Sequence, residues 1–136
     1  MSKGRDKHQE RHHNLTMFGK DLVRRCGAHC ELCNVSGESL SIFEVPPVAT
    51  DPSYEHCLMM CETCKEQIER PKSIDPNHWR CLGTTMWSEV PAAKVSAIVI
   101  LNHLAQKEPW AQELLEQAYL EPEETEWVAQ WTLGVK

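Results

Sequence analysis

No apolar run in this chain approaches the ~20 residues that a helix needs to cross a bilayer, so no membrane association is expected. The opening stretch, MSKGRDKHQERHHN, is charged and has no apolar core, so no secretory leader is expected there. An excess of positive charge is also missing. Lys and Arg total 14 against 20 Asp and Glu, a net charge of −6, which argues against a dedicated nucleic-acid binder. Finally, the cysteines do not come out even. Seven is an odd number, and their clustered spacing suits metal binding in a reducing compartment better than a disulfide framework. A cytoplasmic protein is the expectation.

What the chain does contain is enough for one domain with appendages, at 136 residues and 15.6 kDa. A hydrophobic fraction of 41% and five Trp permit a real but small core, for which a structural metal is a common supplement. Charge is unevenly spread. Residues 1–29 hold seven Lys and Arg against three acids, whereas residues 104–136 hold two Lys against seven Glu. The basic end suggests either a nucleic-acid-facing arm using Lys20, Arg24 and Arg25, or a solvated helix face.

The pattern divides the chain into a disordered basic N-terminus (1–10), an N-terminal helix plus four-cysteine module (11–72), and a helical part packed on it (73–136), all within one structural domain. Leu15, Phe18, Leu22 and Val23 recur at helical steps and predict an amphipathic helix ending near Arg25. Leu40 to Val45 reads as a strand ended by Pro46-Pro47, with a loop over 46–55. Cys57 to Met60 is a short apolar run, and Glu62 to Glu69 is helical up to Pro71. Ser88 is a candidate cap for a segment from Pro91 towards Ala105, although its β-branched 95–101 run leaves a strand open. Pro109 and Pro122 sit where first helical turns would begin, and Gly134 where one would end. Trp110, Leu114, Leu115 and Ala118 mark one apolar face; Trp127, Val128 and Trp131 mark another.

The densest chemistry lies in Cys30-x-x-Cys33 and Cys61-x-x-Cys64. A C-x-x-C turn aims two thiolates at one point about 2.3 Å from a metal, and a second such turn completes a tetrahedron. One structural Zn2+ is the expected ion, with iron as the alternative. Each pair has a further cysteine upstream, Cys26 and Cys57, giving C-x3-C-x2-C twice. That spacing resembles the cluster motif of radical-SAM enzymes, but those need a large α/β barrel that this length cannot build. Cys26 and Cys57 are read as small apolar flanking residues. His29 and His56 neighbour the pairs and are assigned hydrogen bonding around the site rather than ligation. Cys81 has no partner base nearby in sequence and is expected to be buried.

Knuckle, hairpin, knuckle and helix is the order of a treble-clef zinc finger, and also the frame of HNH nucleases. The nuclease pattern resembles C-x-x-C, H-H-I-x-P, then N-L-x-x-L-C-x-x-C-H. Here Glu44 stands at the general-base histidine, His56 at the asparagine and Lys65 at the histidine after the last cysteine. Phosphodiester cleavage needs a base of near-neutral pKa and a divalent metal, which Glu44 alone does not supply.

Three stretches carry a more specific resemblance: Cys30-Glu31-Leu32-Cys33 with Leu40 to Pro47; Cys61-Glu62-Thr63-Cys64 with Gln67-Ile68-Glu69; and Asp75-Pro76-Asn77-His78-Trp79-Arg80-Cys81 through Met86-Trp87-Ser88-Glu89-Val90-Pro91. Together they resemble the N-terminal zinc-binding region of PhnA-type proteins, bacterial proteins named after an alkylphosphonate-utilisation operon. The resemblance covers roughly residues 22–132 and implies four cysteine ligands for zinc in a cytoplasmic protein. It does not imply phosphonate hydrolysis, which belongs to a larger two-metal enzyme. Family members carry a further small β-barrel, and with the sequence ending at Lys136 a short relative or a fragment is expected. Within the last stretch Arg80 is a candidate anion clamp, against a reading in which Trp79 and Trp87 pin the loop and the polar groups cap helices.

The expected fold is therefore α+β: a treble-clef-like or zinc-ribbon module, an N-terminal helix before it and about three helices after it. The expected role is a non-enzymatic structural zinc protein acting as an interaction module, with protein the partner. Nucleic-acid binding through the basic helix is the second reading. A hydrolase using Glu44, His56 or His78 is the third.

Overall fold

The computed structural model of the chain describes residues 18–47 and 53–133. Leu40–Glu44 forms strand β1 and Cys57–Cys61 forms strand β2, paired antiparallel so that Leu40 lies opposite Cys61 and Glu44 opposite Cys57. Successive side chains of a strand point to opposite faces, yet every residue of β2 is buried. Both faces are therefore covered. Leu58 and Met60 enter the main core, while Cys57 and Met59 pack with Leu22 in a smaller cluster.

The cover on that second face is a helix over residues 18–26 (α1). Leu22 is its fully buried residue, flanked by Phe18 and Cys26. The helix expected from about residue 11 is seen from residue 18 onward, and its earlier part lies outside the described residues, as does the 1–10 segment. Gly27 follows it in the left-handed region (φ 62°), a conformation glycine enters without a Cβ penalty and one common just past helix ends. Arg25 fastens α1 to the rest. Its guanidinium donates to both carboxylate oxygens of Glu31 at 2.9 and 2.7 Å and to the Cys57 carbonyl at 2.7 Å.

After β2 come α2 (Glu62–Glu69), the short α3 (Leu82–Thr85), α4 (Pro91–Leu104), α5 (Pro109–Gln117) and α6 (Pro122–Ala129). Proline occupies the first turn of α4, α5 and α6, where its missing N–H costs nothing. Glu121 and Glu124 close a reciprocal capping box at the start of α6. Ser88 does not cap α4 itself; Val90 holds that position and its N–H donates to the Ser88 hydroxyl at 3.1 Å. Gly134 lies outside the described residues.

The β-branched 95–101 run, open between strand and helix, is the middle of α4. Val95 to Leu101 is buried without a break, because β2, α3, α5 and α6 all pack against this helix. A helix buried all round carries no amphipathic period. Its one buried hydroxyl, Ser96, donates back to the Ala92 carbonyl at 2.8 Å. The predicted apolar faces of α5 (Trp110, Leu114, Leu115) and α6 (Trp127, Val128), with Trp131 beyond, rest partly buried on the same core. That core runs from Cys30 to Leu133 and joins the cysteine module to the helices. Of the two tryptophans expected to pin the 75–91 loop, Trp79 is fully buried and its indole donates to Gln67 Oε1 at 2.8 Å. Trp87 is 52% exposed, and Met86 takes the buried position beside it. No helix among the described residues is long and apolar enough to cross a membrane.

Candidate metal centre

The first cysteine pair sits in a turn made by its own backbone. Cys30 N–H donates to the Val35 carbonyl at 3.0 Å and Asn34 N–H to the Cys30 carbonyl at 2.8 Å. Asn34 supplies the left-handed residue (φ 65°), a conformation that asparagine tolerates better than most side chains. A bridge between His29 and Ser36 closes the turn. The second pair is built differently. Cys61 ends β2 and is the N-cap of α2, so Cys64 falls three residues into the first turn. Both of these sulfurs therefore lie at the positive end of a helix, which favours thiolate charge.

The hairpin brings the two halves together. The sulfurs of Cys30, Cys33, Cys61 and Cys64 all lie within 4.8 Å of one another. Cys30 Sγ is 3.7 Å from Cys64 Sγ, and Cys33 Sγ is 3.6 Å from Cys61 Sγ. A disulfide needs about 2.05 Å, so these are free thiols. A tetrahedron of sulfurs around an ion at about 2.3 Å has edges of about 3.8 Å, close to the spacing found. The four cysteines lie close enough together to hold a metal ion.

The four thiols perturb one another's acidity. The hydrogen bond between the Cys30 and Cys64 sulfurs, with the Cys33, Cys61 and Leu32 amides, brings Cys30 down to about 4 against the opposing pull of burial. Burial pushes Cys33 up to about 12, with the charge of Cys30 adding to it. Cys64 is driven far upward by its hydrogen bond with Cys30 and by burial. Thiols this close cannot all ionise against each other, but a bound cation reverses that repulsion and deprotonates its ligands outright.

No protein-family model, curated protein or solved structure matches the chain. What the sequence singled out can still be placed residue by residue. Cys26 and Cys57 stay out of the site and pack in the small cluster under α1, with Cys57 Sγ 3.2 Å from the Ser53 carbonyl. Cys81 is half-buried, its thiol directed at the His78 carbonyl at 3.4 Å, and burial pushes it up to about 11. His29 and His56, expected beside the sulfurs, make no hydrogen bond to them among the described residues; His56 instead packs on Trp127, ring centroids 4.6 Å apart. The histidine that does reach the site is His78, whose Nε2 is 3.3 Å from Cys64 Sγ. It stands outside the knuckle spacing, so no local motif marks it. With a thiolate at Cys64, Nε2–H is the donor.

Of the remaining polar candidates, Glu44 lies on β1 opposite Cys57, His56 packs on Trp127, and His78 reaches Cys64. The Arg80 guanidinium lies over the Trp110 ring, 4.8 Å from its centroid. Asp75 accepts the Asn77 N–H at 3.0 Å, a local turn. Of the three basic residues near the first knuckle, Arg25 is committed to Glu31, and this charge-assisted pairing holds it further up against the opposing effect of burial. Arg24 is exposed with Asp21 at 3.9 Å.

Proposed function

We propose that Cys30, Cys33, Cys61 and Cys64 hold one zinc ion in a closed structural site, that the surrounding turn, hairpin and helix form a treble-clef-like finger, and that the protein is a non-enzymatic interaction module whose partner is another protein. The observation that carries this reading is the sulfur geometry. Four buried or half-buried thiols stand at tetrahedral spacing, two from a backbone turn and two from a helix N-terminus. Sulfur on all four positions leaves none for water or substrate, so such an ion stabilises rather than catalyses. Tetrahedral thiolate selects zinc or iron, and a staple with no electron to move favours zinc. The relationship to PhnA-type proteins is proposed on the motifs quoted above.

The energies support a folding role. Structural zinc contributes on the order of 10–16 kcal/mol in small thiolate sites, as much as the whole net stability of a domain, roughly 5–15 kcal/mol. Elemental analysis of the purified protein should therefore find one zinc per chain. Cys61→Ser should lose both the metal and the cooperative thermal melt. A metal-free protein with an unchanged melt would overturn the structural site, and the visible absorption of iron thiolate would replace zinc by iron.

A further inference from the structure

An open groove of about 730 Å3 runs between α6, the turn at Tyr54–His56 and the start of α4. Its walls are largely apolar, formed by Pro47, Tyr54, Val90, Pro91 and Trp127, with the His56 ring and the Arg25 side chain also lining it. The groove is held in shape by the Trp127 indole, which donates to the Pro46 carbonyl at 2.8 Å while its ring packs on His56. Its rim is acidic. Glu55, Glu89, Glu123 and Glu126 all line it, are exposed, and form no ion pair with a cation among the described residues. Two more rim acids, Glu121 and Glu124, are engaged in the α6 capping box. The positive charges close by are already spent, Arg25 on Glu31 and Lys94 on Glu124 at 3.0 Å.

We propose that this groove is a docking site for a Lys/Arg-rich segment of a partner protein. Charge complementarity selects that occupant. Unneutralised carboxylates around low-dielectric walls focus a negative potential that attracts cations and repels nucleic acid and anionic lipid. The apolar walls then separate a long basic side chain from a small ion. Lys and Arg lay their aliphatic stems on apolar surface and extend their heads to a polar rim, and their charge is also favoured over an aromatic face. The groove already shows such a contact, the Arg25 guanidinium lying 4.9 Å from the centroid of the Tyr54 ring. A volume of this size lies within the range that accommodates a specific ligand, roughly 300–1,000 Å3. This inference deepens the proposed interaction role and rests on it.

The test uses the full metal-loaded chain and a short fluorescein-labelled peptide of Lys, Arg and Leu, with a Glu/Leu peptide as control, followed by anisotropy. Binding to the basic peptide alone is expected, weakened about tenfold or more in the E55Q/E89Q/E123Q/E126Q variant, since four pairings together readily supply that factor. The variant's thermal melt should be unchanged, because all four residues are exposed. A variant neutralised elsewhere, E66Q/E69Q/E113Q/E116Q, should bind as the parent does. Absence of binding, or equal weakening in both variants, overturns the groove. Binding that emerges only after Lys3, Arg5, Lys7 and Arg11 are all changed to Gln also overturns it, in favour of the chain's own basic segment as occupant. Metal content measured on the same samples separates these outcomes from failure of the zinc site.

Discussion

His78 shows how one side chain outside a motif can matter to it. In the proposed metal-bound state an Nε2–H directed at Cys64 Sγ would spread the charge of that thiolate, and the ring is held edge-on to Trp79, centroids 4.8 Å apart. Partners of this kind fix ligand orientation, and their loss typically weakens metal binding by about 10- to 100-fold. His78→Phe should therefore keep the fold and the ion but release it faster to a chromophoric chelator, a rate read directly in a stopped-flow trace. An unchanged release rate would make His78 a packing residue only. The clustering of the four cysteines was legible from spacing, because C-x-x-C is a local geometry. His78 was not, because it stands 14 positions from Cys64 and is returned to the sulfur by the 3₁₀ turn at His78–Cys81, whose Trp79 is buried.

At the level of elements, the helices that begin with proline were readable, since Pro91, Pro109 and Pro122 each mark a first turn. The hairpin and α2 followed from the strand run and the second cysteine pair. The ambiguity fell on α4, and for a physical reason. A helix touched on every side has apolar residues on every side, which erases the periodicity that separates helix from strand. Its burial also makes it the element most sensitive to lost volume. Ile100 is fully buried in the main core, so Ile100→Ala should cost about 2–5 kcal/mol through lost transfer energy and the cavity left behind. Chemical denaturation of the metal-loaded protein measures this as a shift in midpoint. A change under ~0.5 kcal/mol would mean that α4 tolerates repacking as a surface helix does. Neither Trp87's exposure nor the acidic groove could be read beforehand. The groove draws on residues from Pro47 to Gln130, and no local pattern links them.

For the molecule as a whole, the two-stranded sheet divides the interior into unequal parts. One side holds the large cluster from Cys30 to Leu133, and the other holds Leu22, Cys57 and Met59 beneath α1. The thiols belong to the large side, where Cys30, Cys61 and Cys64 count among the core residues, and the Thr85 hydroxyl ties α3 to the first knuckle through the Leu32 carbonyl. The small side depends on three buried side chains and on the Arg25 clamp to Glu31 and Cys57. Stability is not uniform across such a structure, and segments with few buried apolar contacts open ahead of the rest. In deuterated buffer the amides of α1 should accordingly exchange in an early, separate phase, while those of α4 wait for global unfolding. Simultaneous exchange would mean that both sides melt as one unit. If the early phase is seen, the chain has a firm body built around the four-cysteine cluster and a hinged cover, and the outer face of β2, with Cys57 and Met59, is transiently open to solvent while every thiol of that cluster stays in place.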